Sequence, residues 1–340
     1  MTSTTRPPAR PNSGAAPAAP ATRPPSRMQL GAVRRGLRPA PDRILLVGTE
    51  GIGKSTFAAG APSPIFLAVE DGVRHLDVAS FPEPKNFAEV LDALRSLATE
   101  QHEFKTVVID TVDWVEPLIW ADVCERNGWA TIETPGYGKG YAVALEDWRR
   151  LLVALDHLRN ARGMEIILLA HATVKSFSNP AGPDYSRYEC KLAKASSELI
   201  RQWCDANLFA VHEEFVQEGK GLTRAKGVST GRRVLKTQRT AAWDAKNRHG
   251  LPEELALDYA EYAAARAAGQ PASPDALRAE VATLVEQLQP ADAARTAIGE
   301  RVKAAGDDTS ALARLRLDQR RGPPQAGPAT RRSRPWCRGR

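Results

Sequence analysis

The stretch Arg43-Ile44-Leu45-Leu46-Val47-Gly48-Thr49-Glu50-Gly51-Ile52-Gly53-Lys54-Ser55-Thr56 decides the fold. Arg43 to Val47 is a short apolar run with the character of a buried strand, and a helical pattern follows Lys54. Between them, Gly48 to Ser55 satisfies the spacing G-x-x-x-x-G-K-[ST]. Glycines in such a turn let successive backbone amides point inward around phosphate oxygens, and the helix that follows adds the positive end of its dipole. Gly48, Thr49, Glu50, Gly51, Ile52, Gly53, Lys54, Ser55 and Thr56 are therefore expected to cradle ATP. Lys54 would reach the β and γ phosphates, and Ser55 would ligate Mg²⁺.

Working outward, apolar β-prone runs alternate with helical patterns, as in a parallel sheet covered by helices. The expected strands are Arg43 to Val47, Ile65 to Val69, Thr106 to Asp110, Glu165 to Ala170, Asn207 to Val211 and Arg233 to Thr237. Asn86 with Glu89 marks a helix start, and Phe87, Val90, Leu91, Leu94 and Leu97 share one face. Farther on, Leu277, Val281, Leu284, Val285 and Leu288 form a stripe that predicts a small helical segment over 274–303.

A phosphate cradle needs a second metal-side carboxylate at the end of a neighbouring strand, and Asp110 closes the run Thr106-Val107-Val108-Ile109-Asp110. Ser55 and Asp110 are thus the expected Mg²⁺ residues. Asp113, with Glu116 three residues later, reads as the N-cap of a helix through Trp120. Hydrolysis also needs a group that orients or deprotonates water. Glu70, at the end of Ile65-Phe66-Leu67-Ala68-Val69, fills that role, with Asp71 as the adjacent alternative. His171 follows the buried run Ile166 to Ala170, where a neutral imidazole can meet a phosphate or the lytic water, or can simply be a satisfied strand-end histidine.

With this order of parts the chain resembles the RecA-like recombinase ATPases, in which the catalytic glutamate comes from the strand just after the phosphate-binding helix. Over about residues 41–255 the resemblance is nearest to phage-encoded RecA-like proteins of single-strand annealing, carried by Thr106 to Thr111 and by Ala245-Lys246-Asn247-Arg248. It implies an α/β fold with a RecA-like P-loop core, a mostly parallel central sheet flanked by helices. It also implies an ATPase that assembles as a ring or filament and acts on single-stranded DNA. In such assemblies two basic residues spaced by one reach the ATP of the adjacent subunit; Lys246 and Arg248 have that spacing, which an ordinary solvated basic pair also has. His171 stands where relatives carry a γ-phosphate sensor, commonly Gln. The segments Thr134 to Tyr141 and Thr173 to Glu189 stand where the family places its DNA-binding loops; the latter carries Lys175, Phe177, Tyr185, Arg187 and Tyr188, which offer charge and stacking faces for a single strand. A nucleotide-switched binding module with little hydrolysis, serving as a helicase loader or scaffold, is the reading from another class.

Composition sets the limits. The 340 residues carry 47 Lys and Arg against 40 Asp and Glu, or +7, but residues 1–40 hold seven Arg and no acid, and 319–340 hold another seven. The remainder is 33 minus 40, or −7, so a basic total says nothing about the folded part. Those ends read as a disordered Pro-rich arm (1–40) and a disordered basic tail (319–340). They flank an ATPase domain over 41–270 and a helical appendage over 271–318. The runs Ile166 to Ala170 and Ile44 to Val47 are far too short to span a bilayer. Cys124, Cys190, Cys204 and Cys337 form no CxxC pair, which fits reduced thiols and a cytoplasmic location and argues against a zinc site.

Overall fold

A computed structural model describes residues 28, 30–33, 40–180, 182–217, 226–269, 274–288, 292–306, 308, 311–312 and 314–316. The expected arm lies almost wholly outside them and the tail entirely so. The chain divides into two units, Met1–Leu37 and Arg38–Arg340. In the first, the described residues form a single 3-10 turn over Leu30–Ala32.

The second unit is built on a sheet of strands β1 (Arg43–Gly48), β2 (Pro64–Ala68), β3 (Ala79–Ser80), β4 (Thr106–Asp110), β5 (Glu165–Phe177), β6 (Tyr185–Cys190), β7 (Ala206–Gln217), β8 (Lys226–Lys236), β9 (Lys246–Asn247) and β10 (Glu254–Ala256). The spatial order is β10-β8-β7-β1-β5-β4-β2-β3. From β7 to β3 every pairing is parallel, while β8 runs antiparallel to β7 and β10 antiparallel to β8. One strand, β5, therefore separates the phosphate-loop strand β1 from the acid-bearing β4.

The helices are α1 (Lys54–Ala59), α2 (Phe87–Thr99), α3 (Val112–Asn127), α4 (Lys139–Arg162), α5 (Lys194–Trp203), α6 (Tyr259–Gly269), α7 (Pro274–Leu288) and α8 (Asp292–Ala305). Strand side chains alternate between faces. In β1 and β5, Leu45, Val47, Ile166 and Leu168 turn toward α2 to α5, and Ile44, Leu46, Ile167 and Leu169 turn toward α1 and α6. Both faces are covered, which is why these strands read as unbroken apolar runs rather than alternating ones. Trp148 of α4 is fully buried on the first face. On the second, Phe57 lies edge-on to Tyr259 and Tyr262 at 5.6 and 6.1 Å. Burying side chains of this size contributes about 1.5–3 kcal/mol each.

Asn86 caps α2 as expected: its side chain accepts from the Glu89 amide at 3.0 Å, and Glu89 in turn accepts from the Lys85 amide at 2.8 Å. The stripe expected over 274–303 divides into two helices, with Leu277, Val281, Ile298, Leu312 and Leu315 forming their own small cluster and Leu288 half exposed. Three expectations need correction. β5 does not end at Ala170 but continues to Phe177. The segment 173–189 is not an irregular loop but chiefly a hairpin of β5 with β6, paired from Ala172 with Cys190 to Phe177 with Tyr185. Asp113 does not cap α3: Thr111 occupies the N-cap position without a side-chain bond, and Asp113 lies in the first turn.

Candidate active site

The parallel register brings one edge of the sheet together. Gly48 at the end of β1 pairs with His171 of β5, and Ala68 at the end of β2 pairs with Asp110 at the end of β4. The carboxyl ends of parallel strands are where α/β sheets bind ligands. Beyond β1 the chain makes a tight turn in which Gly51 has φ 69° and Gly53 φ 108°, backbone that L side chains rarely adopt. Gly48 is constrained differently: a Cβ there would lie 3.0 Å from the backbone oxygen and the Cβ of Ala210. Ile52 is fully buried, anchoring the loop in the core so that its backbone, not its side chain, faces out. The amides of Gly51, Ile52 and Gly53 meet no acceptor among the described residues, so they remain available to an anion.

Lys54, 6% exposed, donates to the carbonyls of Gly48 and Thr49 at 3.3 and 3.0 Å. Burial pushes its pKa down, against the attraction of Asp110, Asp113 and Glu70. Its charge is held over the loop with no carboxylate in direct contact among the described residues. Ser55 donates its hydroxyl hydrogen to Asp110 Oδ2 at 2.6 Å. Burial raises the Asp110 pKa, opposed by the Ser55 hydrogen bond and by Lys54 and His171. A hydroxyl beside a carboxylate is a pair of hard oxygen donors. No group of three or more His, Cys, Asp or Glu able to hold a metal occurs among the described residues. The fitting ion is thus one that completes its shell with phosphate oxygens and water, which is the habit of Mg²⁺.

Glu70 stands two residues beyond β2, with Oε1 3.9 Å from His171 Nε2. Burial raises its pKa, His171 lowers it, and Asp110 and Asp113 raise it further. Asp71 points away, pairing with Arg74 at 2.5 Å with its side chain 54% exposed, so of the two adjacent acids Glu70 is the one at the site. His171 is fixed by Asp113, whose Oδ1 accepts from the His171 amide and whose Oδ2 meets Nδ1, both at 2.9 Å. Burial works against the Asp113 charge, but the hydrogen bonds and charge of His171 outweigh it and hold this carboxyl below the usual range. The edge therefore carries a row Asp113–His171–Glu70 beside the pair Ser55–Asp110.

Lys246 and Arg248, expected to reach the ATP of an adjacent subunit, lie away from this chain's own phosphate loop. Lys246 lies in β9, paired with Asn207 near the start of β7, at the opposite end of the strands from the phosphate loop. Its ammonium caps the last turn of α5 through the carbonyls of Arg201, Gln202 and Cys204 at 3.1, 3.0 and 2.5 Å. Arg248 pairs with Asp205 at 3.3 Å. Within one chain neither meets the site. Conversely, Asp113 and Arg233 escaped sequence reasoning. Arg233 of β8 donates to the Ile52 carbonyl at 3.3 Å, and a Cβ on Gly53 would fall 2.5 Å from its Nη1. Only the antiparallel return of β8 brings it there. The capping pattern Asp113-x-x-Glu116 misled because Glu116 is buried and bonds the Ala193 amide instead, at 2.9 Å.

No helix among the described residues is long and apolar enough to cross a membrane. No curated protein matches the chain. Residues 40–249 match a family model described as an AAA domain, and that span contains every group of the edge described above. With the phosphate loop, the acid-bearing strand and the helix-flanked sheet on one continuous match over more than half its length, the chain belongs to the AAA-domain family of P-loop nucleotide-binding ATPases.

Proposed function

We propose that the chain is a Mg²⁺-dependent ATPase of RecA-like type, acting on single-stranded DNA in phage-type recombination or annealing and working as a ring or filament with ATP at subunit interfaces. The observation that carries the catalytic part is Glu70 beside a histidine that Asp113 holds in place, on the same edge as Ser55 and Asp110. The loop amides and Lys54 bind the triphosphate and favour the charge that gathers on its terminal oxygens during transfer. Ser55 and Asp110 would hold Mg²⁺, which when bound would supply positive charge to offset the phosphates. Glu70, ionised, accepts a proton from the attacking water; its raised pKa makes it a stronger base than an exposed glutamate. Asp113 keeps the His171 ring turned toward Glu70. Across a subunit boundary the trans-acting charge would fall to Arg248, 55% exposed, since Lys246 is committed to its own helix.

One observation favours the second reading, a nucleotide-switched module such as a helicase loader. The cations of the β5–β6 hairpin face acids of their own chain: Lys175 stands 3.9 Å from Glu189, and Arg187 pairs with Asp244 at 2.5 Å. Turnover with and without single-stranded DNA separates the two. Under the first, DNA stimulates hydrolysis, Glu70→Gln lowers turnover by about 10²–10⁴-fold while ATP affinity holds, and Lys54→Ala loses both. As pH falls through the raised Glu70 pKa, turnover should fall too. Undiminished turnover in Glu70→Gln removes its catalytic role; absence of stimulation and of any oligonucleotide shift leaves the module reading.

A further inference from the structure

A cavity of about 560 Å³ lies away from the phosphate loop, between α5, the β5–β6 hairpin and the segment 239–244. Its lining gathers three guanidiniums on one carboxylate. Arg187 and Arg239 approach Asp244 Oδ1 at 2.5 and 3.2 Å, and Arg201 approaches Oδ2. One acid can neutralise one of the three, which leaves a local surplus of two positive charges. Lys175 and Glu189, 3.9 Å apart on the same wall, offset each other and do not reduce it.

The surplus is also short of acceptors. Arg187 is 3% exposed and its Nε is buried with no hydrogen-bond partner among the described residues; the same holds for Nε of Arg201. A buried guanidinium donor without an acceptor is costly, and a ligand supplying several anionic oxygens relieves that cost. The volume is in the range of sites that enclose a small organic ligand and exceeds what a bare phosphate fills. Phe177, over which Arg187 sits at 5.2 Å, offers an aromatic wall for the rest of such a ligand, and Lys194 and Glu198 of α5, which also line the cavity, offset each other in charge and leave the surplus at two.

We propose that this cavity is a second ligand site, separate from the phosphate loop, which takes a phosphomonoester of nucleoside monophosphate size through Arg187, Arg201 and Arg239. The inference does not depend on hydrolysis at the first site. The test is calorimetric titration of the full chain carrying Lys54→Ala, which disables the phosphate loop, with inorganic phosphate, AMP and adenosine. A parallel arm uses the unmutated chain saturated with Mg²⁺ and a slowly hydrolysed ATP analogue. AMP should bind one per chain in both arms, phosphate more weakly, and adenosine at least tenfold more weakly than AMP. Arg187→Gln should weaken AMP at least tenfold. Because Arg187 is buried and that variant can fail to fold, Arg239→Gln, altering a side chain 66% exposed, provides a second reading and should weaken AMP at least threefold. No heat with AMP or phosphate at millimolar concentration, adenosine binding as well as AMP, or AMP affinity unchanged in a folded Arg239→Gln chain would overturn the site. A single-stranded oligonucleotide binding through these arginines while AMP does not would also overturn it, in favour of a nucleic-acid backbone.

Discussion

The two ends of the parallel strands both gather charged groups and use them differently. At the amino-terminal end the charges satisfy one another: Arg43 bridges Asp205 and Asp156, Arg266 and His249 flank Asp42, Lys246 caps α5, and Tyr259 donates to Glu165 at 2.7 Å. At the carboxyl-terminal end, among the described residues, Lys54 has loop carbonyls as direct partners, the loop amides have none, and Glu70 Oε1 stands 3.9 Å from the His171 ring. One end is finished by folding, and the other awaits a ligand. Charge substitutions should therefore cost stability at the first and activity at the second.

The largest break in that comparison should come from Glu165, whose pKa burial pushes up to about 7. A carboxyl raised in the folded state binds more protons than when unfolded, so its contribution to stability is complete below its unfolded value near 4.5 and is lost as pH rises toward 7. At about 1.4 kcal/mol per unit, the loss is at most about 3 kcal/mol. Denaturant titrations at pH 5 and pH 8 should show it in the native chain and not in Glu165→Gln; equal slopes in both would count against this assignment. Lys246→Met comes next. It leaves the α5 carbonyls without their donor and should cost about 1–3 kcal/mol in denaturant unfolding, with turnover per folded molecule unchanged in a non-assembled chain.

At the other end, Asp113→Asn should cost some stability, since it removes a buried carboxylate that His171 holds below the usual range, but should show chiefly in activity, lowering kcat about tenfold with little change in KM because the His171 ring loses the charged partner that orients it. Asp113→Glu, which keeps the charge, should recover part of that loss, and a KM effect alone would mark a binding role instead. Smallest is Arg233→Ala: removing a cation that leans on the phosphate loop should weaken ATP affinity about threefold, read by direct titration.

What the sequence revealed of this division follows from where backbone geometry is dictated locally. Gly51 and Gly53 are needed for positive φ, so the phosphate loop was readable from spacing alone. Asp110 was readable because a buried apolar run ending in an acid places that acid at a strand terminus. Spacing alone does not specify which end of the sheet Lys246 and Arg248 occupy within their own chain; the antiparallel pairing of β9 with β7 decides that, and leaves their reach toward a neighbouring subunit's ATP as part of the proposal. The segment 173–189 was read as loop because the resembled family places a DNA-binding loop there; its hairpin pairing with nearby residues, and the contact of Arg187 with Asp244 much later in the chain, emerge only in the fold. Arg233 could be located only through the tertiary return of β8.

β5 is a single uninterrupted strand from Glu165, past His171, to Phe177. At about 3.3 Å per residue, the six steps from His171 to Phe177 make a stiff rod roughly 20 Å long. Its near end lies in register with the nucleotide loop, and its far end forms the hairpin wall on which Arg187 rests. One strand thus carries both the histidine that faces the nucleotide loop and a wall of the arginine-lined cavity.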